Sequence, residues 1–338
     1  MRSHMTIPAL PTIAAPAHER SDRRFHVDER IPGAIQRIAS SQFDRMTHRL
    51  NDPDVDPDEA IHTARKAMKR LRGLLRLVRD EVGQSAYRNE NAVLRDTSRR
   101  LAPVRNSFVM VKTLDRLREA HRGVLRRKAF AVTRQHLMAR HEASRQAVIE
   151  NDQLMTAVVV TLKTARARYT AWEPERTGNP PSKLAARGVR DDFAAMAPGL
   201  TRVYRRGQRA MLQAYHDGSA ESFHEWRKRV KYLRYQLESL ELILPELVGA
   251  HARNLAELGE VLGDNNDLAE LGRIVLDDDA ATADQRERTL LLALVHSASL
   301  ELQYEARALG SALYTETPDQ FVGRLGSYWN ASRGISGP

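Results

Sequence analysis

The 338-residue chain contains no cysteine. It therefore forms no disulfide bond, carries no thiol nucleophile and has no cysteine-based zinc site. Aromatic residues make up only 6% of the chain, and its apolar runs are far too short to span a bilayer. We therefore expect a cytoplasmic protein without a membrane partner, and the sequence leaves its oligomeric state open.

Negative charge is the second shortage. The chain has 53 lysines and arginines against 43 aspartates and glutamates, which gives a formal net charge of +10. Such an excess favours a polyanionic partner, although the charge alone does not identify it.

Strand signals are also missing, because nothing in the chain alternates apolar and polar residues up to a hairpin turn. Almost everything after Asp28 predicts helix, which makes the fold all-α. The strongest break, "WEPERTGNPPS" at 172–182, predicts two helical bundles, one over residues 29–171 and one over 182–332. Residues 1–28 are expected to be a disordered arm, whose first five, "MRSHM", resemble a cloning scar.

One basic segment occurs twice. "IHTARKAMKRLRGLLRL" at 61–77 resembles "FHEWRKRVKYLRYQLESL" at 223–240, with the two histidines 162 residues apart (224 minus 62). The later turns "LAPVRN" and "LGDNND" are 161 residues apart (262 minus 101). Two similar offsets at separate places predict an internal duplication.

In each copy the basic residues fall on one side of a helix, opposite a continuous apolar side. The first basic row is His62, Arg65, Lys66, Lys69, Arg72 and Arg76. The second basic row is His224, Arg227, Lys228, Lys231 and Arg234. Both rows nearly lack acidic residues, so each is predicted to be a cationic surface on a helix of a bundle.

A solvated surface is the ordinary explanation for such a row. Like charges four residues apart destabilise a helix by a few tenths of a kcal/mol, roughly, and the chain accepts this repulsion twice. The repetition therefore favours a bound polyanion. The two histidines start their rows, and they could donate either to a phosphate oxygen or to a neighbouring helix.

Other basic residues have helical spacing on the adjacent helices. They are Arg202, Arg205, Arg206 and Arg209 before the second row, and Arg95 and Arg99 after the first. Because short connections place successive helices side by side, we expect all these rows to merge into one groove.

These residues resemble the CHAD family, the "conserved histidine α-helical domain". The family pattern is a histidine followed by an arginine and a basic helix, present in both halves. The chain matches it from His62 to Arg72, including Arg70, and from His224 to Arg234, over roughly residues 29–330. It departs from the pattern at Ala102 and Asn106 in the first turn and at Tyr232, which occupies the position equivalent to Arg70.

The resemblance implies two four-helix bundles related by pseudo-twofold symmetry, with basic helices lining a shared surface or pore. It also implies binding of inorganic polyphosphate and, for some bacterial members, residence on polyphosphate granules. No cofactor is expected.

Two alternatives stay open. A cationic groove can bind DNA or RNA weakly and without sequence preference. A metal-dependent phosphohydrolase would need carboxylates beside the basic residues. The dense acidic stretches are "DNND" at 264–267 and "DDD" at 277–279, which we interpret as a helix-capping turn and a solvated helix end. Neither a metal site nor a catalytic residue is predicted.

Overall fold

The computed structural model describes residues 22–170 and 188–334, and this part of the chain is all-α, as predicted. The helices of the first half are α1 (Ile31–Asn51), α2 (Pro57–Leu77), α3 (Arg79–Val82), α4 (Gln84–Arg100), α5 (Ala102–Ala120), α6 (Ala131–Val148) and α7 (Asp152–Thr170). Those of the second half are α8 (Ala197–Asp217), α9 (Ala220–Leu240), α10 (Pro245–Asp277), α11 (Gln285–Leu313) and α12 (Pro318–Ser332). The break predicted at 172–182 lies outside the described residues.

The two helices with basic rows, α2 and α9, begin with side-chain caps. Asp56 accepts a hydrogen bond from the backbone N–H of Glu59 at 3.2 Å, and Pro57 follows in the first turn. Ser219 caps α9 in the same way, after Gly218 has ended α8 at a φ of +66°. These caps fix where each basic row starts.

The apolar side of each of these helices is buried, as the sequence predicted. Met68 and Leu71 of α2 and Trp226 and Leu233 of α9 have no exposed surface. They belong to one hydrophobic cluster that draws residues from both halves of the chain. Burying this much apolar surface fixes both helices with their basic sides turned away from the core.

Helices α2 and α9 cross at a close contact. A Cβ atom added to Gly73 would lie 3.0 Å from the Cβ of Tyr235, so a larger side chain at Gly73 would push the helices apart. The contact joins the two halves directly. The internal duplication itself stays a prediction.

A second hydrophobic cluster also joins the halves. Leu114 of α5 and Phe130 before α6 pack with Leu271 of α10 and Leu291 of α11. The first half therefore buries apolar surface against the second at two places.

Two sequence expectations are wrong. Helix α10 runs for 33 residues through 263–267, where a stop was expected. It continues because its polar residues have partners on other helices, such as Asp264, whose carboxylate pairs with Arg116 at 2.8 Å. The expected arm ends too late, since Phe25 is fully buried and its N–H donates to the carbonyl of Ser239. Residues 1–21 of the arm lie outside the described part.

Across both described ranges, no helix has the length and apolar character needed to cross a lipid bilayer.

Candidate polyanion-binding site

The crossing of α2 and α9 brings their basic rows together. Lys69 of α2 interacts electrostatically with Arg227 and Lys231 of α9, and Arg105 at the start of α5 adds a further cation. We call this group the central cluster: His62, Arg65, Lys66, Lys69, Arg105, Arg227, Lys231 and Arg234. It contains positive charge from both halves of the chain.

The lysines of the central cluster are poorly solvated. Burial, together with Arg65 and the other nearby cations, lowers the pKa of Lys69 to about 7. Burial is also the main reason that the pKa of Lys66 falls to about 8 and that of Lys231 lies well below its usual value. Within residues 22–170 and 188–334, no carboxylate forms an ion pair with any of the three.

Two arginines of the cluster lie against backbone groups of neighbouring helices. Arg65 donates to the carbonyl oxygen of Ser98 on α4. The guanidinium of Arg227 lies against Gly263 of α10, where an added Cβ would be 3.2 Å from its Nη2. Its buried Nε has no hydrogen-bond partner in the described part of the protein. Arg227 therefore keeps one donor that the described residues do not satisfy.

The expectation of rows nearly free of acids is wrong at one side of the cluster. Glu238 of α9 accepts from Arg234 at 2.6 Å and lies 3.7 Å from Arg70. Burial alone would raise its pKa, but Arg234 and Arg70 outweigh that effect and hold the carboxylate in its charged form. Asp267 of α10, at another side, partly offsets the charge of Arg105 and Lys231. The positive charge is thus concentrated around Lys69 and Lys231.

Beyond Lys69, the row on α2 leads into a cleft between α2, α8 and α9. We call it the arginine cleft, and it is lined by Arg76, Arg79, Arg202, Arg206 and Arg229 with Tyr87, Val203 and Tyr232. Arg72 lies between the two sites, because its charge acts on both Lys69 and Arg76. The predicted groove therefore has two parts.

Several predicted site residues lie apart from both places. Arg95 and Arg99 pair with Asp96 on the surface of α4. Arg205 and Arg209 are exposed on α8, and Lys228 is exposed and pairs with Glu225. Helical spacing placed them on basic faces, but those faces do not all turn toward the crossing.

The two histidines have different surroundings. The Nδ1–H of His224 donates to Oδ1 of Asn266 and so joins α9 to α10. His62 lies among cations, and burial together with Arg105 and Lys66 lowers its pKa to about 4. His62 is therefore neutral at physiological pH in the free protein.

Sequence reasoning missed three arginines. Arg105 belongs to the turn "LAPVRN", which we had treated as a break between helices. Arg79 follows the end of α2, and Arg229 lies off the second basic row. Only the position of Arg105 in a repeated turn could have pointed to it.

The matches to known proteins agree with this architecture. The profile of the CHAD domain matches residues 37–275, which is more than half of the chain, so the chain belongs to the CHAD family. The comparison with curated proteins found no match.

Two solved structures share the fold. The CHAD domain from the plant Ricinus communis is 16% identical, with a TM-score of 0.55 over 91% of this chain and 94% of that one. PptA from Streptomyces chartreusis is 13% identical, with a TM-score of 0.60 over 85% of this chain and all of that one. At such identities the likeness concerns the fold alone.

Proposed function

We propose that the chain binds inorganic polyphosphate through the central cluster and does not hydrolyse it. The observation that carries the proposal is the group of poorly solvated lysines, none of which forms an ion pair with a carboxylate of the described residues. Placing like charges together out of water destabilises the free protein. A polyanion would remove that destabilisation, so the arrangement favours bound ligand.

The chemistry of the side chains fits phosphate groups. Arginine forks and lysine ammonium groups bind phosphate oxygens as charge-assisted donors. The cations come from three helices, α2, α5 and α9, which surround one place rather than following a straight line. A flexible chain with about one charge per phosphate can follow such a path more easily than a stiff duplex.

Single-stranded nucleic acid is the less favoured ligand. Proteins that bind single-stranded nucleic acid normally offer aromatic rings on which the bases stack. Here Arg76 lies 3.9 Å from the centre of the Tyr232 ring, and Arg70 lies 5.7 Å from that of Tyr235. Arginine side chains already cover these rings, and both tyrosines are buried.

A non-catalytic polyphosphate-binding domain can hold a protein on polyphosphate granules, and we propose this as the cellular role. Residence on granules follows from affinity for long chains, so it should be lost in the same variants that lose binding. A fluorescent fusion of the full chain, with and without those variants, would test it.

The central test is a titration of the protein with long-chain polyphosphate and with duplex DNA at equal concentrations of phosphate. We expect polyphosphate to displace bound DNA, with little displacement in the other direction. The ligand should keep its chain length in the presence of Mg²⁺ or Mn²⁺. DNA displacing polyphosphate, or metal-dependent shortening of the chains, would contradict the proposal.

A matched control is available in the loop between α5 and α6. Arg126 and Arg127 are exposed there, and α5 carries the loop roughly 20 Å beyond Arg105 at about 1.5 Å per residue. Arg126→Gln/Arg127→Gln removes the same charge as Arg227→Gln/Lys231→Gln. Only the second variant should lose affinity if the central cluster, rather than net charge, binds the ligand.

A further inference from the structure

The arginine cleft differs from the central cluster in its chemistry. Its cations are all arginines, and they come from the end of α2, the start of α3, and the middle of α8 and α9. The buried side chains of Val203 and Tyr232 also line it. The cleft therefore gathers guanidinium groups from four elements of the fold around one small space.

Arg76 is held in a defined orientation at this place. It donates to the carbonyl of Arg72 at 2.7 Å and to Oδ1 of Asn91 at 3.0 Å, while its guanidinium lies over Tyr232. Arg79 stacks on Tyr87 at 4.7 Å. Such contacts hold arginine forks in place, which lowers the entropy lost when they bind a ligand.

The arginines of the cleft are only partly neutralised. Arg202 pairs with Asp80, and Arg229 pairs with Glu225. Arg206, whose side chain is largely exposed, has no ion pair with any described residue, and partial burial together with Arg229 and Arg79 lowers its pKa. Five guanidinium groups and two carboxylates leave the cleft with a net charge of about +3 by counting formal charges.

We infer that the arginine cleft binds a terminal phosphoryl group, that is, one with three non-bridging oxygens. The inference rests on the proposed function insofar as the group is the end of a polyphosphate chain. Free inorganic phosphate offers the same chemistry and is the other source.

The charge of a phosphoryl group depends on its place in the chain. An interior phosphoryl group of the chain has two non-bridging oxygens and one charge. A terminal group has three acceptor oxygens and a charge of about −1.5 to −2 at pH 7. Guanidinium forks that converge from several directions can serve three oxygens at once, whereas a single passing phosphate would leave donors unused.

The path from the central cluster leads to the cleft. Arg72 acts on Lys69 at one end and on Arg76 at the other, and it also lies 5.9 Å from the ring of Tyr232. A chain whose interior phosphates contact the central cluster can therefore place its last phosphate in the cleft, because Arg72 provides positive charge along the whole path between them.

The test compares four ligands: inorganic phosphate, tripolyphosphate, long polyphosphate, and the same long chain with both ends capped as phosphoramidates. The cleft variant is Arg206→Gln/Arg229→Gln, and Arg126→Gln/Arg127→Gln is its control. We expect the cleft variant to lose about tenfold or more in affinity for tripolyphosphate, because charge-assisted hydrogen bonds are lost. The cleft variant should lose less than about threefold in affinity for the capped chain. The control variant should bind all the ligands like the parent.

The four ligands distinguish free phosphate from the end of a polyphosphate chain, and they distinguish failure of the cleft from failure of the proposed function. Saturable phosphate binding that the cleft variant abolishes, without a chain-end effect, identifies free phosphate as the ligand and supports the cleft as a phosphoryl site. Equal losses for capped and uncapped chains, with no phosphate binding, overturn the inference and leave polyphosphate binding intact. If the parent protein binds no long chain, the proposed function fails. The cleft then stands or falls on phosphate and tripolyphosphate alone.

Discussion

The central cluster and the arginine cleft both concentrate positive charge, but they differ in the type of cation and in how its charge is balanced. The cluster contains three lysines that lack an ion pair among the described residues and have lowered pKa values. The cations of the cleft are all arginines, two of which are paired with carboxylates and two of which stack on tyrosine rings. The first place is held in a destabilised state, whereas contacts within the protein hold the arginines of the second in position and neutralise part of their charge.

The two places should respond differently to pH. A lysine whose pKa lies near neutrality can lose its charge within the physiological range, whereas an arginine stays charged. The affinity of the cluster should therefore change between pH 7 and 9, whereas the arginines of the cleft keep their charge over that range.

The largest effect concerns salt. A long chain that spans both places should make about six to ten phosphate contacts and lose roughly 10³–10⁵ in affinity between about 50 and 200 mM salt. Tripolyphosphate, confined to the cleft, should show a much shallower slope. Titrations at five salt concentrations would measure both slopes. An affinity of the long chain that does not change with salt would contradict binding in a cationic groove.

The second effect separates binding from stability. Lys69→Met/Lys231→Met should weaken binding of long chains about 100-fold, because two charge-assisted contacts disappear. The same variant should melt at a higher temperature than the free parent at pH 7, by about 2–4 °C for each kcal/mol of repulsion removed. Calorimetry of both proteins would check it, and a lower melting temperature would show that these lysines stabilise the fold.

The third effect is the response to pH. A lysine whose folded pKa lies below its unfolded value destabilises the fold. For Lys69 the penalty is full below about pH 7 and disappears as the pH rises toward 10.5. The bound polyanion favours the protonated lysine, so binding takes up protons. Affinity for long chains should therefore fall between pH 7 and 9, by at most about tenfold per pH unit for each proton.

Lys69→Arg provides the matched variant for this measurement, because it keeps a charge that does not titrate. Its affinity should fall less steeply with pH than that of the parent. Binding of tripolyphosphate to the cleft should be nearly constant over the same range. Identical pH profiles for Lys69→Arg and the parent would remove Lys69 from the mechanism.

The comparison also shows which features a sequence can reveal. The all-α fold, the caps at Asp56 and Ser219 and the buried side of α2 follow from local pattern, because helix spacing and capping depend on near neighbours. The continuation of α10 through 263–267 does not, because its polar residues find partners on other helices, as Asp264 does with Arg116 of α5. Local signals at 263–267 therefore predicted a turn that tertiary contacts abolish.

The two places themselves were predictable to different degrees. The rows that meet at Lys69 and Lys231 were found by helical spacing, since both lysines lie on the face opposite the core. The cleft was not separated from the rest of the groove, because Arg79 and Arg229 lie off the rows and join Arg206 only through the packing of α8. Which basic faces turn toward each other depends on crossing angles, which a single sequence does not carry.

The smallest effect concerns the histidines, for which the sequence left two roles open. Burial and nearby cations keep His62 neutral down to about pH 4 in the free protein, and His224 is engaged with Asn266. His62→Gln/His224→Gln should therefore bind long chains with nearly the parent's pH profile between pH 7.5 and 5.5. A flatter profile in the variant would instead assign protonation of these rings to ligand binding.

Substitution of either histidine should change the stability of the fold, although it leaves the pH profile of binding nearly unchanged. His224→Ala removes a hydrogen bond between α9 and α10 and should lower the melting temperature by about 2–4 °C for roughly 1 kcal/mol lost.

For His62 the folded pKa lies below the unfolded value of about 6.5, so the unfolded state takes up the proton first as the pH falls. The parent should lose stability between about pH 6.5 and 4, and His62→Gln should lose less, because the glutamine does not titrate. Melting curves of the parent and both single variants at pH 7 and 4.5 would decide it. An equal acid sensitivity of His62→Gln and the parent would place the titrating group elsewhere.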